Sequence, residues 1–145
     1  MKVTIEQVSK ASENEVIIRY HTMDESVHNL LHFLELPDQK LLGEIEKEMH
    51  ILDPEKIYYI ESVDNKVFIY GENQVYESRK KLYELELELI NNQFFRASKS
   101  MILNIKKIES VRPLFDGRFE ASLKNKEKVF ISRKYVAVLK QKLGL

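Results

Sequence analysis

The sequence contains no cysteine and no tryptophan, and it has only 4 glycines and 3 prolines in 145 residues. Without cysteine the chain cannot form a disulfide, bind a metal through thiolates or use a cysteine nucleophile. The glycines stand apart at positions 43, 71, 117 and 144, which excludes phosphate-binding loops, dinucleotide fingerprints and nucleophile elbows. So little glycine and proline also excludes fibrous and disordered chains.

Long apolar runs are missing as well. No run approaches the roughly 18 residues that a membrane-spanning helix needs, and the first ten residues lack the apolar stretch of a signal peptide. The length suits one domain with a small appendage. We therefore predict a cytoplasmic protein, and the absence of cysteine fits a reducing compartment.

The formal net charge is zero, but the two ends of the chain carry opposite charge. Residues 1 to 55 carry 5 Lys+Arg against 12 Asp+Glu, a net −7, whereas residues 91 to 145 carry 13 against 4, a net +9. A basic C-terminal part on a neutral chain is typical of contact with a polyanion such as nucleic acid. Solvated surface lysines are the alternative interpretation.

The N-terminal third has the pattern of a small αβ unit. Alternating apolar residues predict a strand at Val3 to Val8 and a second, more buried strand at Val16 to Tyr20. Asp24 can cap a helix that Pro37 and Asp38 end. The apolar stripe of this helix consists of Val27, Leu30, Leu31 and Leu34.

An extended segment, Leu41 to Leu52, follows this helix, and Asp53-Pro54 marks a turn. The spacing of turn residues then predicts short antiparallel strands. They are Ile57 to Ile60, Val67 to Tyr70 and Val75 to Ser78. Asp53-Pro54 is the best candidate for a boundary, with an acidic αβ extension at residues 1–51 and a second domain at residues 52–145.

Residues Lys81 to Ile90 fit a helix or a strand, and we favour a helix because Leu and Glu are strong helix formers and Asn91-Asn92 supplies a stop. Further strands are predicted at Phe94-Phe95, Met101 to Leu103, Ile108 to Phe115, Arg118 to Leu123 and Val129 to Ile131, with a hairpin turn at Asp116-Gly117. Ser132 can cap a C-terminal helix with Val136, Leu139 and Leu143 on one side.

The histidines and carboxylates do not predict a catalytic or metal site. His28 and His32 have the i, i+4 spacing of zinc ligands, but the segment between them lacks a glutamate and no third ligand is evident. Surface histidines beside the apolar stripe are the better interpretation. Paired carboxylates have no discriminating value in a chain with 23 acidic residues. We predict no enzyme activity, no metal, no cofactor and no small-molecule substrate.

Polar islands between apolar strands are the remaining candidates for a binding site. Arg96 to Ser100 combines two cations and two hydroxyls between apolar anchors, and Ser132-Arg133-Lys134 offers the same groups at a helix start. Asp64-Asn65-Lys66 is a third exposed turn. These groups bind phosphate oxygens, and Lys or Arg can also reach the acceptors of guanine in the major groove. Each island alone is more simply a solvated turn, but the three together favour DNA.

Four segments in this order and spacing resemble the LytTR family of bacterial DNA-binding domains. They are IYYIESVDNKV at residues 57–67, LYELE at 82–86, FFRASKSMILN at 94–104 and VFISRKYV at 129–136. The resemblance covers about residues 52 to 145. It implies a mostly β fold with short helices (α+β), an elongated stack of short antiparallel sheets, preceded here by the small αβ extension.

The resemblance also implies that three loops enter the grooves of double-stranded promoter DNA. By position these loops contain Asn65 or Lys66, then Ser98, Lys99 and Ser100, and then Arg133 and Lys134. Arg96 serves phosphate contacts or pairs with an acid within the fold, and both alternatives stay open. The resemblance thus predicts a sequence-specific transcriptional regulator. The alternative is a protein–protein interaction module that retains the fold and binds another regulator or a membrane partner.

Family members commonly carry a receiver domain of more than a hundred residues before the DNA-binding domain. About 51 residues cannot hold one, so control by phosphorylation is not expected. The chain looks instead like the short members, which a membrane protein encoded nearby often holds inactive. The exposed edges of a small N-terminal sheet would additionally favour a homodimer.

Overall fold

The computed structural model describes residues 2–35, 40–89 and 93–145. These residues form short helices and strands with the following bounds. In chain order the elements are α1 (Glu25–Glu35), β1 (Leu41–Ile45), β2 (Glu48–Leu52), β3 (Tyr59–Val63), β4 (Lys66–Tyr70), β5 (Val75–Ser78), α2 (Leu82–Glu88), β6 (Phe94–Ser98), β7 (Met101–Asn104), β8 (Ile108–Pro113), β9 (Phe119–Leu123), β10 (Lys128–Ile131) and α3 (Val136–Leu143). Single 3₁₀ turns occur at Pro54–Lys56, Ile105–Lys107 and Arg133–Tyr135.

The strands form two antiparallel sheets. A seven-stranded sheet has the order β2-β1-β5-β4-β3-β7-β6, and a three-stranded sheet has the order β10-β9-β8. Every neighbouring pair in both sheets is antiparallel. The prediction of a mostly β fold of short antiparallel sheets with few short helices is therefore confirmed.

The seven-stranded sheet is apolar on both faces because each face packs on a different layer. Ile60 and Ile69 belong to a buried cluster that contains Leu85 of α2. Their neighbours on the opposite face, such as Tyr59 and Leu103, belong to a second cluster. This second cluster joins the sheet to the three-stranded sheet and to α3, through Ala97, Leu123, Ile131 and Leu139.

The two strands predicted within the first 20 residues are wrong. Residues 2–24 contain no strand, and Val16 and Ile17 are 71% and 63% exposed. The predicted burial of the second strand is therefore wrong too. Residues with high β propensity form a strand only where a partner strand and an apolar surface are available, and the described structure offers this segment neither.

The predicted first helix is confirmed as α1, and it starts as expected. Asp24 Oδ1 accepts a hydrogen bond from the Val27 amide at 3.0 Å, which satisfies one free donor of the first turn. Val27 is buried, but Leu34 at the other end of the stripe is 39% exposed. The expected stop at Pro37 and Asp38 lies outside the described residues.

The extended segment predicted at Leu41 to Leu52 is a β-hairpin of β1 and β2. Its turn residues Glu46 and Lys47 have φ angles of 50° and 68°, as a two-residue type I′ turn requires. Gly43 of β1 lies under Tyr76 of β5, and a Cβ on this glycine would be 2.5 Å from Tyr76 Cβ. Glu44 pairs with Glu77, so the seven-stranded sheet extends across the expected boundary after residue 51.

The remaining elements follow the predicted order, with one correction at the last helix. The helix favoured for Lys81 to Ile90 is α2, and Ile90, Asn91 and Asn92 lie outside the described residues. Ser132 does not cap α3, because a 3₁₀ turn intervenes and the Ser132 hydroxyl makes no capping bond. Its amide instead donates to the Ala97 carbonyl at 2.9 Å, which fixes the chain to β6 before the helix begins.

Candidate nucleic-acid interface

The β3–β4 turn and the β6–β7 turn lie side by side at one end of the seven-stranded sheet. Glu61 of β3 pairs with Met101 of β7, which is the first residue after the β6–β7 turn. The Ser62 amide then donates to the Ser100 carbonyl at 2.8 Å. Since β3 and β7 are antiparallel, the end of β3 and the start of β7 share one edge of the molecule.

The start of the Arg133–Tyr135 turn lies next to these two turns. The bond from the Ser132 amide to the Ala97 carbonyl places Arg133 beside the end of β6. From β4 across β3 and β7 to β6 there are three strand spacings, or about 14 Å. We call residues 64–66, 98–100 and 132–134 together the loop end. The structure thus brings together the three polar islands that the sequence singles out.

The β3–β4 turn is a two-residue type I′ turn. Asp64 and Asn65 have φ angles of 50° and 64°, a left-handed conformation that Asn and Asp tolerate better than most residues. Asn65 thus has a backbone reason to be there, independent of any ligand. Lys66, the first residue of β4, is exposed and carries the positive charge of this turn.

Arg96 is engaged within the fold. Its Nε donates to Glu86 Oε2 at 3.0 Å and its NH1 donates to the Lys99 carbonyl at 3.1 Å, with only 17% of the side chain exposed. The structure therefore shows pairing with an acid, one of the two alternatives for Arg96. By holding the Lys99 carbonyl, the guanidinium fixes the backbone of the β6–β7 turn.

In the β6–β7 turn Ser98 and Ser100 bond to each other, whereas Lys99 is exposed. Ser98 Oγ accepts a hydrogen bond from the Ser100 amide at 3.2 Å, and the two hydroxyls are 3.4 Å apart. Lys99 is exposed at the tip. Within residues 2–35, 40–89 and 93–145 its ammonium has no hydrogen-bond or ion-pair partner.

Arg133 and Lys134 are both exposed at the start of the last 3₁₀ turn. Lys134 Nζ lies 5.5 Å from the centre of the Tyr135 ring. The stem of Arg133 lies against Gly117 of the β8–β9 turn, where a Cβ would be 2.8 Å from Arg133 Cδ. The absence of a side chain at Gly117 therefore leaves room for the Arg133 stem.

The β8–β9 turn is a neighbour of the loop end that the sequence does not reveal. Asp116 accepts hydrogen bonds from the Arg118 amide at 3.1 Å and from Arg118 Nε at 2.8 Å. These bonds, together with the charges of Arg118 and Arg133, lower the pKa of the Asp116 carboxyl. Phe115 on the same turn is fully exposed. The Asp-Gly pair predicts the hairpin, but only the packing of the two sheets places it beside Arg133.

Away from the loop end, much of the positive charge of the C-terminal part is paired with acids. Arg112 and Lys128 both contact Glu120, and Lys126 lies 3.8 Å from Glu109. Hydrogen bonds from Arg112 and the charge of Lys128 lower the pKa of the Glu120 carboxyl. At the loop end, in contrast, the described structure gives Lys66, Lys99 and Arg133 no ion-pair partner. These three exposed cations are therefore available to an anion, with Asp64 and Asp116 as the acidic groups in the adjoining turns.

Residues 2–35, 40–89 and 93–145 contain no group of three His, Cys, Asp or Glu side chains placed to hold a metal ion. None of the helices within these ranges is long and apolar enough to cross a membrane.

Comparison with protein families gives a match to the LytTr DNA-binding domain over residues 47–144. The chain belongs to this family. The LytTr match includes β2 and all three turns of the loop end. The predicted membership, and with it DNA binding as the activity of the family's domain, is confirmed.

Two relatives match this chain over nearly their whole length. It is 28% identical over 147 residues to an uncharacterized HTH-type transcriptional regulator of Staphylococcus aureus MSSA476, covering 100% of this chain and 99% of that protein. A counterpart in strain NCTC 8325 is 30% identical over 139 residues, covering 93% and 94%. Within the described ranges strands separate the three helices along the chain, so no two consecutive helices form a helix-turn-helix there.

Longer relatives and a solved structure show the domain in other contexts. The sensory transduction protein LytT of Enterococcus faecalis is 34% identical over 100 residues, 69% of this chain but only 41% of that protein. This chain therefore spans less than half the length of that relative. The LytTr domain of a putative methyl-accepting/DNA response regulator from Bacillus cereus superimposes with a TM-score of 0.69 at 24% identity, covering 74% of this chain and 99% of that one.

Proposed function

We propose that this protein is a transcriptional regulator that binds promoter DNA sequence-specifically through the loop end. The observation that carries the proposal is the convergence of three turns, each with exposed positive charge, at one end of a rigid β scaffold. The relatives named as transcriptional regulators support the same function. DNA in the cytoplasm is the partner, and no catalytic step is involved.

The three turns have different tasks in this proposal. Arg133 and Lys134 read guanine acceptors in the major groove, because a guanidinium on a fixed support can make a bidentate contact to O6 and N7. Lys66 and Lys99 contact phosphates, assisted by the hydroxyls of Ser98 and Ser100. Asn65 shapes its turn, and any contact of its amide with adenine is secondary.

Arg96 is proposed as a positioning residue. Its guanidinium is bound to Glu86 and to the Lys99 carbonyl, so it presents Lys99 rather than contacting DNA itself. Phe115 lies in the same β8–β9 turn as Gly117 and is fully exposed, so it extends the proposed interface. An exposed phenyl ring can contact a thymine methyl group or a deoxyribose.

Selection of duplexes from a random pool, followed by salt titrations on the selected and a scrambled duplex, tests this function. The two charged phosphate contacts, from Lys66 and Lys99, predict a slope of log K against log salt of about −2. Arg133→Ala should weaken binding to the selected duplex by about 5- to 150-fold, corresponding to about 1 to 3 kcal/mol, with little effect on the scrambled one. Lys66→Ala and Lys99→Ala should weaken both and reduce the slope by about one unit each.

Lys124→Ala is the matched control for these variants. Lys124 is exposed in the β9–β10 turn, at the opposite end of β10 from Ser132. If the pool yields no enriched sequence, or if the loop-end variants all behave like Lys124→Ala, the proposal is wrong. An interaction module that binds another regulator, or a membrane protein that holds this chain inactive, would then become the better hypothesis.

A further inference from the structure

Strand β2 is an open edge of the seven-stranded sheet. The sheet runs from β2 at one edge to β6 at the other, and β6 is covered by β10, the Arg133–Tyr135 turn and α3. In the described part of the chain β2 pairs with β1 alone. An open edge presents unpaired N–H and C=O groups to any strand that can lie alongside it.

The register of the hairpin shows which residues of β2 face the open edge. Ile45 and Glu48 flank the two-residue turn and form its first hydrogen-bonded pair. Hydrogen bonding then alternates, so the backbone groups of Glu48, His50 and Leu52 point toward β1. The backbone N–H and C=O groups of Met49 and Ile51 point toward the open edge.

The same edge exposes apolar side chains on one face. Met49 and Ile51 are 40% and 73% exposed, and Leu42, which pairs with Ile51 across the hairpin, is 40% exposed. Side chains alternate along a strand, so these three lie on the face opposite to buried Leu41. The hairpin therefore presents an apolar patch next to unpaired backbone groups.

We propose that β2 pairs in antiparallel fashion with β2 of a second copy, about a two-fold axis at His50. Backbone hydrogen bonds then form between Met49 and the second copy's Ile51, and again between Ile51 and the second copy's Met49. His50 faces the second copy's His50 as a non-hydrogen-bonded pair. The two apolar patches join into one.

A second copy fits this edge because the strand is complementary to itself. In the proposed register Lys47 lies opposite the second copy's Asp53, so an ammonium meets a carboxylate at both ends of the interface. Between these ends Met49 lies opposite the second copy's Ile51, whereas Glu48 lies opposite Leu52 and the two His50 residues face each other. β4, the nearest strand of the loop end, is three strand spacings, about 14 Å, from β2, so the pairing leaves the loop end uncovered. The inference is independent of the proposed DNA contacts.

Single cysteines test the register, because the sequence has no cysteine of its own. The Cα atoms of a non-hydrogen-bonded antiparallel pair are about 4.5 Å apart, within the range that a disulfide bridges. Full-length His50→Cys should therefore form a covalent dimer on mild oxidation. Glu48→Cys is the control, because the two Glu48 Cα atoms would be about 14 Å apart in this register.

A covalent dimer from His50→Cys and none from Glu48→Cys supports the pairing. The absence of a covalent dimer from His50→Cys overturns the proposal. Equal yields from both variants also overturn it, because they would indicate random collision. A dimer seen by sedimentation that His50→Cys does not trap would also overturn it, since the copies would then meet elsewhere.

Ile51→Pro supplies a second, non-covalent test. Proline removes an N–H that points toward the open edge, so the β1–β2 ladder keeps its hydrogen bonds and only the pairing with a second copy is lost. We expect a shift toward monomer in sedimentation velocity with an unchanged circular dichroism spectrum. A folded Ile51→Pro variant that dimerises like the parent chain overturns the proposal. If the variant does not fold, the cysteine pair decides.

Discussion

Gly117 and Arg133 are in contact although they belong to different turns, and a Cβ at Gly117 would be 2.8 Å from Arg133 Cδ. Gly117→Ala should therefore displace the Arg133 stem and weaken binding to a selected duplex by about 10-fold, as expected when one good base contact is lost. Gly117 also has a φ of 91°, so the variant should lose about 1 to 2 kcal/mol of stability. Titration with selected and scrambled duplexes measures the first effect, and urea unfolding measures the second.

Gly144→Ala is the control that separates the loss of stability from the loss of DNA affinity expected for Gly117→Ala. Gly144 has a similar φ of 74°, but nothing lies within 4 Å of the Cβ position. It should show the backbone strain without the loss of DNA affinity. Equal affinities for the two variants on the selected duplex would contradict the assignment of Arg133 as a reading residue.

Arg96→Ala tests whether this residue positions Lys99 or contacts a phosphate itself. Loss of the bond to the Lys99 carbonyl frees the β6–β7 turn, so affinity should decrease by about 3- to 10-fold, the effect of one lost hydrogen bond of ~1 kcal/mol. The salt slope should stay the same, because no phosphate contact is removed. A phosphate contact would instead reduce the slope by about one unit.

Glu86→Gln and Arg79→Ala are the controls for the Arg96 experiment. Glu86→Gln removes the acid that holds Arg96 and should reproduce a weaker form of the same effect. Arg79 pairs with Glu44 near the opposite edge of the sheet and is 72% exposed, so its loss should leave DNA affinity unchanged. An Arg96→Ala variant with a reduced salt slope would show that Arg96 binds DNA directly.

Local patterns predicted those parts of the fold whose partners are close in sequence. The cap at Asp24 and the turns at Asp64-Asn65 and Asp116-Gly117 depend on neighbouring residues, and all three are found. The prediction of a strand at Val16 to Tyr20 is wrong, because the pattern indicates β propensity but not whether a partner strand is present. The hairpin turn at Glu46-Lys47 was missed because two charged residues in left-handed conformation give little signal.

In the candidate site, too, features set by neighbouring residues can be predicted from the sequence, whereas features set by distant residues cannot. The polar islands were visible in the sequence because apolar strands flank each of them. Their convergence depends on contacts between distant residues, such as Ser62 with Ser100 and Ala97 with Ser132. The engagement of Arg96 by Glu86 also could not be chosen from sequence, since either role suits an arginine beside a polar turn.

Asp64 places a negative charge in the β3–β4 turn, next to Lys66. Asp64→Asn keeps a residue that tolerates the left-handed conformation and removes the charge. Binding to any duplex should become tighter by about 2- to 5-fold at low salt, equivalent to 0.4 to 1 kcal/mol for one charge at a surface. The gain should vanish at high salt.

Glu72→Gln is the control for this variant, because Glu72 lies in the turn after β4, at the other end of that strand. Its effect on affinity at low salt should be smaller. Equal gains for both variants would mean that the overall charge, and not the charge at the loop end, controls binding.

Tyr59 links the two sheets and predicts a loss of stability at alkaline pH. Burial and the hydrogen bond that its hydroxyl donates to Glu127 at 2.9 Å raise the pKa of Tyr59. Because the pKa is raised in the folded state, its contribution to stability is fully present below the unfolded pKa of about 10 and declines as pH rises above it.

Tyr59→Phe should therefore reduce the free energy of unfolding by about 1 kcal/mol at pH 7, the value of one buried hydrogen bond. The variant should also lose less stability than the parent chain between about pH 9 and 11. Urea unfolding across this range measures both, with Tyr83→Phe as the control because Tyr83 is 63% exposed. Parallel alkaline profiles for the parent chain and Tyr59→Phe would contradict the prediction.

The β1–β2 hairpin decides where a minimal DNA-binding fragment can begin. Leu41 is buried in the cluster that contains Ile60 and Leu85, and Leu52 packs against the same cluster. A fragment of residues 53–145 removes both and uncovers the edge of β5. Burial of one leucine contributes about 1.5 to 3 kcal/mol, so this fragment should be less stable than residues 40–145 by at least 3 kcal/mol.

Both fragments lack α1, so the difference between them measures the hairpin alone. Residues 1 to 39 carry 3 Lys+Arg against 7 Asp+Glu, a net −4, so residues 40–145 should bind scrambled DNA more tightly than the full chain at low salt. Thermal unfolding and DNA titration of the two fragments test the prediction. Equal stability would mean that the hairpin contributes nothing to the DNA-binding unit and that this unit begins after residue 51.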